Sequence, residues 1–526
     1  MFLYENNNQG SSKKEPMSDQ QFYASLFFIF MGLLALWVYK NEDYLMGLLF
    51  DYFNWLAFTA FAILMMFTYM ALRKFNEVTK KFTDRGNLLS KVGNHKAGVY
   101  VGKTTDGAKI FLPEKVRTGH VQILGATGRG KTESVILPWF IRDLQRGYSA
   151  VLIDGKGDRE LYDRIEHHTK KLDQKARLIV FDLGSPELSA VTNPLKTGSS
   201  QQITDRIFAA FEFQDPFYKA VQYDITGMIV GLIHEMNEEV TFQRLYELFI
   251  QEEKLTELVG KTKNDHIKRR LTAWLAESKK DRNQKLAGIV SQLGPFATGE
   301  ISQLVNGNVE GKESFSLSEY LAGTTEKRKE LCGEEKYALV ILLPTLLYQE
   351  LAFKLGKLFL QEAAWAVAAK EDTTFTPIFL DEFSSFIYRG FTSILNKARS
   401  SGIALHLSHQ SLGDLEQVSE GFAKAINANT NVKCLLGLND PETADFFAKH
   451  IGTQEEEKIT ERAKKGGIFN EREKTGDVSL RAVEAYKVHP NRLKNYMSGA
   501  GVIQFALDKG TITEEIKFQA LPTEVA

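Results

Sequence analysis

A glycine-rich run carries the residue types most able to do chemistry in this chain. Its members are Gly125, Ala126, Thr127, Gly128, Arg129, Gly130, Lys131 and Thr132. In the pattern G-x-x-x-x-G-K-[ST], backbone N–H groups surround the phosphates of a nucleotide, the lysine neutralises the β- and γ-phosphates, and the threonine hydroxyl holds Mg²⁺. We predict that all eight residues bind ATP, that Thr132 also holds Mg²⁺, and that Lys131 acts in catalysis. A strand-like run at 120–124 and a helical pattern at 133–144 favour this site over a chance glycine turn.

Two acids end an apolar, strand-like run at residues 377–380. In enzymes with a phosphate-binding loop, an acid at the place of Asp381 orders the Mg²⁺ shell. An adjacent glutamate, here Glu382, can take the proton from the attacking water. The pair is weak evidence alone, because many strands end in solvated acids at a turn. Together with the glycine-rich run, it predicts a nucleotide-hydrolysing site with Asp381 as a Mg²⁺ and nucleotide ligand and Glu382 as the catalytic base.

Two further candidate catalytic residues flank the strand-like run 403–407. Gln410 follows the run and is suited to sensing the γ-phosphate, because its amide can hold both water and phosphate. Arg399 precedes the run and could act as an arginine finger, since its planar fork matches a transferring phosphoryl group. The alternatives are a capping glutamine and a surface arginine. We interpret His409 as an ordinary core or surface histidine.

Two weaker features remain open at this stage. The run DGKGD at 154–158 follows the next predicted strand, so it either shapes the nucleotide site or is a glycine turn with solvated charges. In the helical part of the chain, basic residues between 268 and 285 surround Trp274. Such a segment could follow a phosphate backbone and stack a base, but a solvated helix face is the favoured interpretation.

Two long apolar runs lie near the start of the chain, at about 22–39 and 52–72, and neither contains a charge. Each has about the length that crosses a bilayer. Lysine and arginine lie on the two outer flanks, which predicts that both ends face the cytoplasm. The alternative is a pair of buried core helices. We therefore predict a multi-pass anchor in residues 1–81, with the bulk of the chain in the cytoplasm.

Strand-like and helical patterns alternate after this segment, which is typical of an α/β fold with a parallel sheet. Predicted strands lie at 150–153, 177–181, 338–343, 377–380, 403–407, 432–438 and 502–506, after a β-rich lead-in at 91–113. Between about 197 and 329 the patterns are helical, at 203–213, 218–235, 241–250, 268–278 and 284–298. We predict a nucleotide-binding domain of residues 82–196 and 330–526, with an all-helical domain of residues 197–329 inserted into it.

Composition adds limits but no chemistry. The formal net charge of the 526 residues is −1, so no overall basic field indicates a polyanionic partner. The two cysteines, Cys332 and Cys434, have no metal-binding spacing and are expected to be ordinary thiols. Residues 455–476 are rich in charge and are expected to form a solvated helix and loop.

The order of these motifs resembles that of the type IV secretion coupling proteins, the membrane-anchored DNA-transfer ATPases of bacterial conjugation. The matching features are two apolar N-terminal runs, GATGRGKT, DGKGD, NPL at 193–195, a helical insert, FLDEF, ARSSGIALHLSHQS and VHP at 488–490. The resemblance covers about residues 92–507 plus the apolar segment. It implies a RecA-like P-loop NTPase domain with an inserted all-α domain and a two-helix transmembrane anchor. It also implies active-site roles for Arg399 and Gln410.

By the same resemblance, the chain is expected in the bacterial inner membrane as a homo-hexamer whose subunits share nucleotide. The expected partners are single-stranded DNA carrying its relaxase, and the proteins of the type IV secretion channel. The family commonly has proline where this chain has Gly155, which puts the rigidity of that turn in doubt. No long acidic tail precedes Ala526, so docking of substrate is expected to use the helical domain or separate adaptor proteins.

Three alternative functions stay open from the sequence. One is a coupling protein that mainly receives protein effectors, and a second is a double-stranded DNA translocase of the chromosome-partition type. The third is a non-catalytic receptor that binds nucleotide only to assemble. The presence of Lys131, Asp381 and Glu382 together argues against the third.

Overall fold

The computed structural model describes residues 19–40, 60–74, 98–172, 176–307, 309–463, 474–508 and 510–522. Fifteen strands are present in these ranges. They are β1 (Val99–Thr104), β2 (Lys109–Leu112), β3 (Val121–Leu124), β4 (Ala150–Asp154), β5 (Arg177–Asp182), β6 (Val191–Thr192), β7 (Ser314–Phe315), β8 (Tyr337–Leu342), β9 (Thr376–Asp381), β10 (Ile403–His409), β11 (Val432–Leu435), β12 (Thr453–Ala463), β13 (Lys474–Tyr486), β14 (Ala500–Leu507) and β15 (Gly510–Phe518).

Eleven strands form one sheet in the order β2-β1-β15-β14-β11-β3-β10-β9-β4-β8-β5. The seven strands from β11 to β5 are parallel. Apart from the edge strand β5, these strands are buried along their length, as expected for parallel strands covered by helices on both faces. The arrangement brings the carboxyl ends of β3, β10, β9 and β4 to one edge, which is where ligands bind in open α/β sheets.

The sheet is mixed, and the expectation of a purely parallel sheet is wrong at one edge. β14 pairs antiparallel with β11, β15 pairs antiparallel with β14, and β1 continues the antiparallel edge. Only residues 508 and 509 separate β14 from β15, and so short a link joins antiparallel strands, whereas parallel strands need a crossover of a dozen residues or more. The sequence prediction placed a strand at 502–506 but missed β15.

Helices cover the sheet and fill the stretch between β6 and β7. Outside residues 200–332, the helices near the sheet are Glu114–Arg117, Leu137–Gln145, Arg159–Lys170, Gln349–Ala369, Thr392–Ala398, Leu412–Glu416, Glu420–Asn429, Pro441–Ile451 and Pro490–Lys494. Between residues 200 and 332 they are Ser200–Ala210, Pro216–Glu235, Phe242–Ile250, Glu252–Lys261, Asp265–Leu275, Lys279–Ala297, Ser302–Val305, Leu317–Ala322 and Thr325–Cys332. All five helices predicted in this stretch are present. Four others were missed: Glu252–Lys261, Ser302–Val305, Leu317–Ala322 and Thr325–Cys332.

The short ladder of β6 with β7 joins the two ends of the helical stretch. Asn193 follows β6 and donates from Nδ2 to the carbonyl of Val240, 2.8 Å away. A continuous hydrophobic core runs from the sheet through the helix Gln349–Ala369 into these helices, and Phe181 of β5 packs edge-on against Phe359 of that helix with ring centroids 5.4 Å apart. The helices therefore share a core with the sheet.

The expectation of a solvated helix and loop at 455–476 is wrong for its described residues. β12 and β13 form a separate antiparallel ribbon. The sequence of β12 alternates poorly between apolar and polar residues, which is why no strand was predicted there. Residues 464–473 lie outside the described residues.

The N-terminal apolar runs are partly described. The first run lies in the helix Asp19–Lys40, and residues 60–74 of the second run's region are also helical. Within the described residues, the structure contains no helix with the length and hydropathy needed to cross a membrane. The two membrane spans stay a prediction, and residues 52–59 lie outside the described part.

Candidate active site

The glycine-rich run leaves the carboxyl end of β3 and enters a π-helical turn at Thr132–Ile136, which continues into the helix Leu137–Gln145. Gly128 and Gly130 have φ values of +75° and +86°, a region open mainly to glycine. These conformations let the loop curl around a phosphate with its N–H groups inward. Ala126 anchors the loop by donating from its backbone N to the carbonyl of Gly437 at 2.9 Å.

Lys131 is 5% exposed, and its Nζ donates to the carbonyl oxygen of Gly125, 2.6 Å away. Burial lowers the pKa of Lys131, although the carboxylates of Asp381 and Glu382 oppose that shift. The ammonium group is thus folded over the centre of the loop, where the phosphates of a nucleotide fit.

Asp381, the last residue of β9, is fully buried and holds three elements together. Its Oδ2 accepts a 2.5 Å hydrogen bond from the Thr132 hydroxyl, and its Oδ1 accepts one from the Ser408 hydroxyl at 2.8 Å. The threonine hydroxyl and the aspartate carboxylate are the two protein groups that hold Mg²⁺ in P-loop enzymes. Their contact shows that the residues present fit a Mg²⁺–nucleotide complex.

Glu382 follows directly and has a left-handed backbone, with φ +52° and ψ +46°. This conformation is uncommon for a residue with a side chain. Its Oε1 accepts a 2.8 Å hydrogen bond from Nε2 of Gln410, and Oε1 of Gln410 accepts one from the Thr127 hydroxyl at 3.2 Å. Two predicted catalytic residues and the phosphate-binding loop are therefore joined by side-chain hydrogen bonds.

His409 is buried, as a core histidine would be, and it fixes the end of β10 next to Gln410. Gln122 of β3 donates from Nε2 to Nε2 of His409 at 3.0 Å, so Nδ1 of His409 carries the proton and donates to the carbonyl of Ser411 at 2.8 Å. Burial lowers the pKa of His409, which keeps the ring neutral.

The DGKGD loop also lies at this edge, because β4 pairs with β9 and places Asp154 beside Asp381. Asp154 accepts from the backbone N of Lys156 at 3.2 Å and of Asp158 at 2.8 Å. Burial and the neighbouring Asp381 raise the pKa of Asp154. Gly155 donates its backbone N–H to the carbonyl of Asp381 at 3.1 Å, a bond that proline cannot make. The turn is thus held by hydrogen bonds in place of the proline that the family commonly has.

Arg399 is not brought to this site. It is exposed and lies before the amino end of β10, whereas Gln410 follows the carboxyl end. A strand of this length spans about 20 Å. Arg399 lines a polar cleft of about 410 Å³ at the opposite edge of the sheet, together with His120, Asn396, Asn429 and Asn431.

The basic segment around Trp274 does not present a stacking surface. Trp274 is 8% exposed and lies under Lys285, whose Nζ is 5.3 Å from the ring centroid. Nearby, Arg270 forms an ion pair with Asp224. The interpretation as a solvated helix face agrees with this arrangement.

Sequence reasoning missed Ser408, which fixes Asp381, and assigned no role to Lys156. Ser408 could have been found from its place at the end of the predicted strand 403–407, next to the predicted strand 377–380 that ends in Asp381 and Glu382. Side chains two residues apart on a strand share a face, so Ser408 and His406 lie on the same side of β10 while Gln410 continues beyond its end.

Comparison with known proteins supports the resemblance to the type IV coupling proteins. The family described as "TraM recognition site of TraD and TraG" matches residues 376–489, which begin at β9 and include β10 and β11. A curated relative, the type 4 coupling protein DotL of Legionella pneumophila, is 26% identical over 401 residues, which are 65% of this chain. The chain is similar to the type IV coupling proteins. The match covers only 50% of DotL, so this chain spans about half the length of that relative.

Solved structures share the fold. The conjugative coupling protein TrwB in complex with ADP and Mg²⁺ is 16% identical, with a TM-score of 0.56 over 84% of this chain and 93% of that one. VirB4 of Thermoanaerobacter pseudethanolicus is 15% identical, with a TM-score of 0.52 over 82% of this chain and 99% of that one. The α/β fold predicted from the sequence is therefore shown, with a mixed sheet in place of a parallel one.

Proposed function

We propose that this chain is an ATPase that couples a substrate to a type IV secretion channel and moves it with the energy of ATP hydrolysis. The observation that carries the proposal is the joined set of Thr132, Asp381, Glu382 and Gln410 at one sheet edge. A receptor that bound nucleotide only to assemble would need the glycine-rich loop, but it would not need a catalytic base such as Glu382 held in place by Gln410. The similarity to DotL, a type 4 coupling protein, supports the cellular role.

Each side chain has a part in the proposed hydrolysis. Lys131 leaves the carbonyl of Gly125 and neutralises the β- and γ-phosphates, while Thr132 and Asp381 hold Mg²⁺. Glu382 accepts the proton of the attacking water, and Gln410 holds that carboxylate and orients the water. The remaining loop residues, from Gly125 to Gly130, surround the phosphates with their N–H groups. The bound Mg²⁺ supplies charge neutralisation at the phosphate oxygens.

The remaining features supply the setting. The described apolar side chains of the N-terminal helices are exposed, for example Phe28 at 73% and Phe67 at 63%. Such side chains fit a lipid environment, so we propose that residues 22–39 and 52–72 anchor the chain in the bacterial inner membrane with both ends in the cytoplasm. Residues 197–329 form the helical domain in this proposal, and substrate docks there or through adaptor proteins.

Single-stranded DNA with its relaxase is the proposed substrate, moved by a homo-hexamer. The exposed position of Arg399 supports an assembled ring. An arginine finger at this position lies too far from the nucleotide of its own chain and can act only on the nucleotide of a neighbouring subunit. We infer that Arg399 completes the site of the adjacent subunit.

The test compares ATP turnover of the full-length chain with that of Glu382→Gln and Lys131→Ala. Glu382→Gln is expected to bind ATP but to lose about a hundredfold or more in turnover, because its amide cannot take the proton. Lys131→Ala is expected to weaken nucleotide binding itself. The matched control Glu187→Gln changes an exposed glutamate outside the site and is expected to keep wild-type turnover.

Turnover is then measured with single-stranded DNA, with double-stranded DNA and without either. Stimulation by single strands supports the proposed substrate. Stimulation by duplex alone supports a chromosome-partition type of translocase. An active enzyme that neither DNA affects supports a receptor for protein effectors. Equal turnover of wild type and both site variants would refute the ATPase itself.

A further inference from the structure

Lys156 forms an ion pair with Glu382, the proposed catalytic base, and the loop that carries Lys156 is firmly held. The fully buried Asp154 accepts hydrogen bonds from the backbone of Lys156 and of Asp158, and Asp158 in turn caps the helix Arg159–Lys170. Gly157 of the same loop has φ +65° and lies so close to Pro344 that a Cβ would come within 2.6 Å of it. The backbone of Lys156 is thus fixed relative to β4 and β9.

Of the two carboxylate oxygens of Glu382, only Oε1 accepts a hydrogen bond from a described residue. Its Oε1 accepts from Gln410, whereas no donor reaches its buried Oε2 within hydrogen-bonding distance among the described residues. The Nζ of Lys156 lies 3.6 Å from this Oε2. The carboxylate therefore sits between an amide donor and an ammonium group that come from two different strand ends.

The charges of the site favour this contact. Asp154, Asp381 and Glu382 converge at the carboxyl ends of β4 and β9, and Lys156 is the cation that reaches Glu382 from the β4 side. Lys131 instead donates to the carbonyl of Gly125. Burial lowers the pKa of Lys156, but Asp381, Glu382 and Asp154 outweigh burial and raise it, so the side chain stays cationic.

We propose that Lys156 is a positioning residue, which together with Gln410 holds Glu382 in the orientation that receives the proton of the attacking water. This inference rests on the proposed ATPase function and assigns a role to the DGKGD loop, whose function the sequence alone leaves open. Without the ammonium group, the Glu382 carboxylate keeps only the hydrogen bond from Gln410 and is less well oriented toward the attacking water. A misplacement of about 1 Å is enough to cost much of the rate.

The experiment measures kcat, KM and the Kd for a fluorescent ATP analogue with full-length Lys156→Gln and Lys156→Arg. Lys156→Gln is expected to lower kcat at least about tenfold and to leave Kd within about twofold, because the base lies outside the phosphate-binding loop. Lys156→Arg keeps the charge and is expected to recover most of the loss. The matched control is Lys170→Gln, which removes an exposed lysine paired with Glu166.

A double variant gives the readout that a merely structural role would not produce. If Lys156 acts through Glu382, then Lys156→Gln adds little further loss in a Glu382→Gln background, since residues that act as a unit are not additive. Independent losses that multiply, or a loss confined to Kd, would overturn the inference while leaving the ATPase intact. So would an unchanged kcat in Lys156→Gln beside an active wild type. An inactive wild type would refute the proposed function and the inference with it.

Discussion

At the scale of single residues, the phosphate-binding loop is supported by a buried ion pair that no motif indicates. Arg117 and Asp143 are both fully buried and meet at 2.6 Å. Arg117 also donates from Nε to Nε2 of His406 on β10 at 3.1 Å, and its guanidinium lies over the rings of Trp139 and Phe375. The pair ties the helix that follows the loop to the strand that leads to Gln410.

Asp143→Asn is expected to lower the free energy of unfolding by about 3–5 kcal/mol, because it leaves the guanidinium of Arg117 buried without a counter-charge. Urea unfolding of the full-length chain provides the measurement. The control, Glu515→Gln, removes the partner of the more exposed Arg492 and is expected to cost less than about 1 kcal/mol. A similar small cost for both variants would contradict the role given to the buried pair.

At the scale of elements, strands with continuous apolar sequences were predicted correctly, and strands with many charged residues were missed. Seven of the predicted strands have largely apolar sequences and are present in the sheet, because burial against helices leaves a continuous apolar run in the sequence. β15 lies in the antiparallel part of the sheet and β12 in a separate ribbon, and both carry several charged residues. Such sequences resemble those of solvated helices. Local pattern cannot distinguish the two, since strand pairing at a sheet edge is decided by tertiary contacts.

The candidate site divides in the same way. The glycine-rich run, Asp381, Glu382 and Gln410 were predicted because motif spacing and strand order place them at one edge. The hydrogen bond of Ser408 to Asp381 and the approach of Lys156 to Glu382 were not predicted. Both depend on which strands are neighbours and on side-chain orientation, and neither of these is visible in one sequence.

The contact between the helix Gln349–Ala369, which packs on the sheet, and the helical stretch contains a buried carboxyl group. Glu362 of the helix Gln349–Ala369 is fully buried, and its Oε1 accepts from the hydroxyl of Ser318 at 3.1 Å. Burial raises the pKa of Glu362 to about 7, although Arg206 opposes the shift. The native state therefore keeps a proton that the unfolded chain has already lost above a pKa of about 4.5.

Because the unfolded state binds fewer protons in this window, the contribution of Glu362 to stability falls as pH rises from about 4.5 to about 7. The total fall is roughly 3 kcal/mol from a shift of this size. Glu362→Gln mimics the protonated form and is expected to gain stability relative to wild type as the pH rises from about 5 to about 7, with the difference levelling off above that pH. Unfolding free energies of the two proteins that run parallel across that range would contradict the prediction.

At the scale of the whole molecule, the two edges of the sheet carry complementary parts of one proposed machine. The carboxyl edge holds the proposed nucleotide site, and the amino edge holds the cleft with Arg399. One chain cannot bring them together, since β10 keeps them about 20 Å apart. Two copies can, if the amino edge of one faces the carboxyl edge of the next, and such a head-to-tail contact closes into a ring when its rotation permits.

Arg399 is therefore expected to act on the nucleotide of the neighbouring subunit. Arg399→Ala is expected to lower turnover by about a thousandfold, and Arg399→Lys is expected to remain badly impaired because lysine lacks the planar fork. The decisive measurement mixes Arg399→Ala protein with Lys131→Ala protein. If the finger works in trans, mixed assemblies recover activity, because an intact loop of one subunit meets an intact arginine of the other. Mixtures that co-assemble yet stay as inactive as each parent would instead place the action of Arg399 within its own subunit.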